Sequence, residues 1–527
     1  MNTFLGFSLF FVFFFSNFEA LAQSTPCSDR AWPASLGGSA DARVDELEAA
    51  RWVKYREARE QERLEEALDP QRVISRFRLS LQEVLDRCIQ LPQLIDLGRA
   101  LFLRRFTRGE GFGNGLPDYP RRSRFQRGHF GGPDASSCVD CHWKGGFAGA
   151  GDRVDNTYAF GDGDTLTSAD PRNPPPLWGV GWVELVAQEM TASLQSHKAE
   201  AQREAKASGI PVQRELVSKD VHFGFLIAHP DGTFDYSEVE GVDHDLIIKP
   251  FGWKGVFPTL REFVEISAHK HLGLQSDHLV SSPYREVDVG REDSLDPDQD
   301  QVTSELSEGQ VLALVSFLAT LDTPQIEVPK HGVYQETPRF GALEFVDTPS
   351  FTDRWLKGSR IFNEIGCAEC HRPFLEVKSP ILSIPLYQTE TGSPQVVHQF
   401  TLDLSKDAAQ PHPERKRDEA GQDYWLVPVF SDFKRHRMGE HLKSKHRERN
   451  VPEEVYLTRR LWGLRKTTPY LHHGGAMRFE EAVAAHGGAG SEALQSAEQF
   501  KGLNYEEQSS IRLFLSSLSR GPAIRIR

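Results

Sequence analysis

Two stretches of this 527-residue chain repeat one chemical pattern, Cys138-Val139-Asp140-Cys141-His142 and Cys367-Ala368-Glu369-Cys370-His371. Cys-x-x-Cys-His is the attachment sequence for haem c. The two thiols add to the vinyl groups, and the adjacent histidine turns its ring under the iron as proximal ligand. A redox dithiol does not need the histidine, and zinc needs further Cys or His at ligand spacing. Both motifs are read as haem attachment sites, so two covalently bound haem c groups are the expected cofactors. Cys27 and Cys88 are left over. In an oxidising compartment two spare cysteines pair more often than they stay free. A 27–88 disulfide would tie the mature N-terminus to the helical segment before the first motif, and two unpaired buried thiols are the alternative.

The elements that must position these motifs repeat as well. Leu97-Gly98-Arg99-Ala100-Leu101-Phe102 reads as a short helix leading through a Gly-rich loop into the first motif, and the stretch from Leu356 to Phe362 precedes the second. Both carry Gly-x-x-[Leu/Ile]-Phe, an internal repeat of one domain type. Residues 40 to 90 read as helix, with Leu47, Ala50, Val53 and Leu64 at helical spacing. Residues 184 to 209 are strongly helical, followed by a hairpin of Val221 to Ile227 and Thr233 to Val239 turning at Pro230-Asp231-Gly232. A second insertion, 376 to 450, is rich in Pro, Lys, Arg and His and reads as loops and short strands. A polar segment, 286 to 306, reads as linker or surface loop.

The expected division is therefore a signal peptide (1–22), a helical N-terminal extension (23–92), an N-terminal haem c domain (93–340) with insertion 184–250, and a C-terminal haem c domain (341–527) with insertion 376–450. The expected fold class is mostly α: two cytochrome c-like haem domains with long loops, the helical extension and a small β-hairpin insertion.

Composition is that of an ordinary soluble chain, 39% hydrophobic and 26% charged, with a net charge of −14 and no long basic run. Nucleic acid is excluded as a partner, since a phosphate backbone needs clustered Lys and Arg. Phe4 to Phe15 is almost wholly apolar, the length of a signal-peptide core, and Ala20-Leu21-Ala22 follows as a cleavage site. No later stretch approaches membrane-spanning length. Export to the periplasm or the outside, with no span once the signal is removed, is expected.

With the motifs in place, the chain resembles the bacterial di-haem cytochrome c peroxidase superfamily, and within it the di-haem oxidoreductase (thiol oxidoreductase) branch. Gly358 to His371, Leu461 to Gly474 and Phe479 to Gly488 carry the resemblance best. It implies an electron-transferring C-terminal haem, a peroxide-reactive N-terminal haem, a tryptophan between them and a calcium ion at the junction. His486 falls where the family places the sixth ligand of the second haem, with Met438 as rival. Bis-histidine ligation would give a low-spin, fairly low-potential centre. The family's distal histidine, about sixteen residues after the first motif, has no match in Gly151 to Tyr158. The resemblance thus implies an open first site, which His269, His271 or Met190 could close from elsewhere in the chain. Trp253 falls on the inter-haem tryptophan and Phe263 on the family's distal glutamine. His271 falls on or beside the distal acid, with Glu265 and His269 as neighbouring alternatives for moving a proton between peroxide oxygens. Asn173, Thr467 and Pro469 match the calcium ligands, oxygen donors of the kind Ca²⁺ takes.

The function expected is that of an exported peroxidase-like oxidoreductase, with electrons passing from the C-terminal haem to an oxidant at the N-terminal haem. Peroxide or another small oxidant is one partner, and a small redox protein or quinol-linked donor or acceptor the other. An oxygenase or protein-modifying di-haem oxidase is the alternative enzyme, and an electron-transfer cytochrome the non-enzymatic one.

Overall fold

A computed structural model describes residues 78–107, 110–112, 135–160, 167–281, 305–326, 333–336, 343–346, 348–389 and 394–519. The signal, the extension before residue 78, Cys27 and nearly all of segment 286–306 lie outside the described residues. Seven helices frame the rest: α1 (Leu91–Leu103), α2 (Val180–Ser208), α3 (Leu260–Leu272), α4 (Glu308–Ala319), α5 (Thr348–Glu364), α6 (Phe479–Ala485) and α7 (Tyr505–Ser516).

The repeated Gly-x-x-[Leu/Ile]-Phe explains itself in the packing. Gly98 of α1 lies so close to α4 that a side chain there would overlap the Ala313 carbonyl, while Leu101 and Phe102 are buried. Gly358 of α5 meets the Ser510 carbonyl of α7 in the same way, with Ile361 and Phe362 buried. Each half thus has one helix pair crossing at a glycine, and each pair delivers the chain to a haem motif. α4 is buried along its whole length, as an apolar-all-round helix must be. Ser307 and Gln310 close its N-terminus as a capping box, and Asn504 and Glu507 do the same for α7.

Both insertions carry sheets, the second as the short strands expected of it, and together they raise the strand content above a mostly-α expectation. The hairpin is present as Val221–Ala228 against Phe234–Asp235, but Val212–Ser218 adds a third strand on its other side. This sheet closes on the last turns of α2 through Ala201, Ala205 and Ala228. In the second insertion Ile381–Gln388 pairs with Gln395–Asp403, and Asp423–Val427 lies between Glu414–Arg417 and Leu375–Val377. Leu382, Ile384 and Leu386 point inward at period two and join the core that holds α1 to α4. The added strand Val212–Ser218 buries only Leu216 and Ser218, so its sequence shows little alternation. A second core gathers Ile361, Phe362, Ile365, Phe430, Phe500, Ile511, Phe514 and Leu515 around the second motif. Among the described residues no helix is long and apolar enough to cross a membrane.

Candidate functional site

The first motif opens as a 3-10 turn, Cys138–Asp140, and the His142 amide closes it on the Cys138 carbonyl at 3.2 Å. Asp140 Oδ2 accepts from the Ser136 amide at 3.1 Å and pins the entry. The His142 ring donates from Nδ1 to the Gly149 carbonyl at 3.1 Å. The second motif is a helical turn, Cys367–Cys370, with the His371 amide on the Cys367 carbonyl at 3.0 Å. Its ring donates from Nδ1 to the Phe430 carbonyl at 3.0 Å. Burial pushes both rings down to about 4, with His271 adding to the depression of His142 and His486 to that of His371. Neutral imidazole is the form that ligates iron, and a carbonyl on Nδ1 fixes the tautomer that presents Nε2. Burial also pushes the thiols of Cys138 and Cys367 up to about 12. Cys88 is disulfide-bonded, and its expected partner Cys27 lies outside the described residues.

A cavity of about 290 Å³ opens over the second motif. Cys367, Cys370 and His371 line it together with His486, and Phe362, Phe479, Leu464 and Phe500 give it an apolar wall. His486, the C-cap of α6, donates from Nδ1 to the Ala482 carbonyl at 2.8 Å, so its Nε2 is the nitrogen left for a ligand. Burial lowers its pKa too. Two thiols, two neutral imidazoles with oriented tautomers and an apolar lining suit a covalently held haem. Met438 also lines this cavity, so the structure brings both sixth-ligand candidates to the same place.

Trp253 stands on the cavity wall between the halves. Its indole N–H donates to the Asn173 carbonyl at 2.9 Å, and the Arg459 guanidinium lies 4.6 Å from its ring centre. The His472 ring meets it edge-on at 6.3 Å and stacks on Tyr456 at 4.6 Å. Asn173, Thr467 and Pro469 line the cavity as well. Asn173 Nδ2 sits among three oxygens, Asn156 Oδ1 at 2.9 Å, the Asp152 carbonyl at 3.2 Å and the Gly151 carbonyl at 3.4 Å.

α3 approaches the first motif from its C-terminal end, where the His271 carbonyl accepts from the Ala135 amide at 3.3 Å. His271 and His269 both lie on this stretch, His269 buried. Glu265 is committed elsewhere. It holds Arg261 at 3.1 Å, Ser276 Oγ at 2.7 Å and His278 at 3.1 Å, and Arg261 in turn holds Glu308 at 2.7 Å. A carboxylate so engaged is no free proton carrier. Phe263 stacks with Phe251 at 5.8 Å, and Met190 is core.

Two residues that sequence reasoning passed over belong to this frame. Leu177-Trp178-Gly179 and Leu461-Trp462-Gly463 are a second repeat, hidden because Pro175-Pro176 precedes one and Arg459-Arg460 the other. Trp178 and Trp462 are fully buried, and each packs against the glycine of the other copy. Among the described residues, Cys370, Asp432 and His436 form the cluster closest to metal-ligand spacing. His436 spends both nitrogens, on Asp432 at 2.8 Å and Glu492 at 2.7 Å. Burial opposes its charge, yet these carboxylates push it up to about 12, so it serves as a cation and not as a ligand.

Residues 398–518 match the family model described as "Di-haem oxidoreductase, putative peroxidase". Comparison with curated proteins gives no match. Among solved structures the chain is similar to a "MauG-like protein associated with microbial copper homeostasis", at 12% identity and a TM-score of 0.25, over 66% of this chain and 91% of that one. The matched segment contains Phe430, Met438, Trp462, the Thr467 to Gly474 block and His486, which is the frame of the second cavity. Over that region the chain is similar to the di-haem oxidoreductase family.

Proposed function

We propose that the protein is an exported di-haem c-type cytochrome that works as a peroxidase-like oxidoreductase. The observation that carries this is that His371 and His486 line one cavity with an apolar wall together with Cys367 and Cys370, with a second, half-buried motif at Cys138, Cys141 and His142. Haem bound at the two motifs would supply one-electron transfer at the second and reduction of a small oxidant, such as a peroxide, at the first. His371 and His486 would both offer imidazole to a haem at the second site, which suits electron entry from a small redox protein or quinol-linked donor. Trp253, held by the first half through Asn173 and covered by Arg459 of the second, lies where electrons cross between the halves. His271 stands beside the first motif and serves there as the group that moves a proton on a bound peroxide. Asn173, Thr467 and Pro469, which line the cavity together, would offer oxygens to a Ca²⁺ at the junction.

The test uses the exported holoprotein. A haem-stained denaturing gel should label it, and Cys138→Ser with Cys141→Ser should remove one of two haems. His271→Ala should slow the reaction with hydrogen peroxide by about 10²-fold while haem content stays at two. A chain without covalent haem, or a His271→Ala protein with undiminished reactivity, contradicts the reading.

A further inference from the structure

The two buried tryptophans of the Leu-Trp-Gly repeat occupy equivalent places in the two halves. Trp178 Nε1 donates to the Phe147 carbonyl at 2.9 Å, and the carbonyl two residues on, Gly149, accepts from His142 Nδ1 at 3.1 Å. Trp462 Nε1 donates to the Pro428 carbonyl at 2.5 Å, and the carbonyl two residues on, Phe430, accepts from His371 Nδ1 at 3.0 Å. The sequence around the two loops has nothing in common, so the shared geometry is in the bonding alone.

The rings are also braced against each other's copy. Gly463 has φ +73°, and a methyl group on it would lie 2.5 Å from Trp178 Cζ3. Gly179 has φ +62°, and a methyl group there would lie 3.0 Å from Trp462 Cη2. Only glycine satisfies both the left-handed backbone and the close approach of the facing indole. A buried indole N–H needs an acceptor, and the one each ring takes fixes a loop whose next carbonyl but one orients a proximal histidine.

We propose that Trp178 and Trp462 are positioning residues for the two proximal histidines: each indole N–H anchors the loop that accepts from one histidine's Nδ1, and each ring is locked by the glycine after the other tryptophan. A well-held Nδ1–H···O=C bond makes imidazole a stronger donor to iron and favours the ferric state. Loosening the loop weakens that bond and raises the potential of that haem. Because each ring meets the glycine after the other tryptophan, bulk added at that glycine reaches the ring of the other half.

The proposal rests on the haem reading above, and spectroelectrochemical titration of the holoprotein keeps the two apart. The wave lost in the Cys138→Ser, Cys141→Ser protein identifies the first haem. Trp462→Phe should shift the second haem's wave to higher potential and leave the first in place, with two haems still bound. Trp178→Phe should do the reverse. Gly463→Ala, a change in the second half beside Trp462, should move the first haem's wave through Trp178. If Trp462→Phe loses haem, benzothienylalanine at 462 keeps the two-ring shape, lacks only the N–H and carries the same expectation. Waves that stay put, or that move together in Trp462→Phe, overturn the proposal. A wild-type protein without two covalent haems would instead overturn the functional reading beneath it.

Discussion

Glu184 offers a test of how the helix beside the first motif is held. It lies near the start of α2, only 4% exposed. Its Oε2 accepts from the Leu260 amide at 2.9 Å, the first amide of α3, and its Oε1 accepts from Gln188 Nε2 at 3.0 Å. Burial pushes its pKa from 4.5 up to about 7, and the two hydrogen bonds pull less strongly the other way. Between those values the native state keeps a proton that the unfolded chain has released. Stability is therefore full below about pH 4.5 and is lost as pH rises toward 7. At about 1.4 kcal/mol per pH unit, the loss reaches ~3 kcal/mol by pH 8. Glu184→Gln keeps an oxygen for the Leu260 amide and removes the charge, while its NH₂ obliges Gln188 to turn its amide. The variant should match the wild type in urea unfolding at pH 4.5 and exceed it by ~2–3 kcal/mol at pH 8. An equal difference at both pH values, or a variant weaker at pH 8, refutes an ionisable Glu184 buried under the α3 terminus.

Two further outcomes follow from the second half. His486→Ala should abolish the low-spin signal of the second haem, whereas Met438→Ala should leave it; the opposite pattern makes Met438 the ligand. Gly358→Ala pushes a methyl group into the Ser510 carbonyl. It should cost ~1–3 kcal/mol by overpacking, read as a lower unfolding midpoint of the second haem's Soret band.

What was legible in the sequence is what chemistry forces into short contiguous segments. The two attachment motifs are covalent sites, so all their atoms come from five neighbouring residues. Gly98 and Gly358 were legible as a repeat, because a helix crossing at backbone distance admits no other residue. His486 could be placed only through the resemblance, and its relation to His371 is a property of the folded cavity. Other features depend on partners far away in the chain. Glu265 reads as a free acid until Arg261, Ser276 and His278 close around it. The strand Val212–Ser218 was missed because only Leu216 and Ser218 of it are buried, too few to show alternation. The Leu-Trp-Gly repeat was present in the letters, but the role of its tryptophans lies in carbonyls 31 and 34 residues away.

The measurement that bears most directly on the central claim is the electron paramagnetic resonance spectrum of the fully oxidised holoprotein, with and without cyanide. A second haem held by His371 and His486 predicts one low-spin ferric signal that cyanide leaves unchanged. An open first site beside His142 predicts one high-spin ferric signal that cyanide converts to low spin. Two low-spin signals, both indifferent to cyanide, would contradict an oxidant-reducing enzyme and leave an electron-transfer cytochrome in its place.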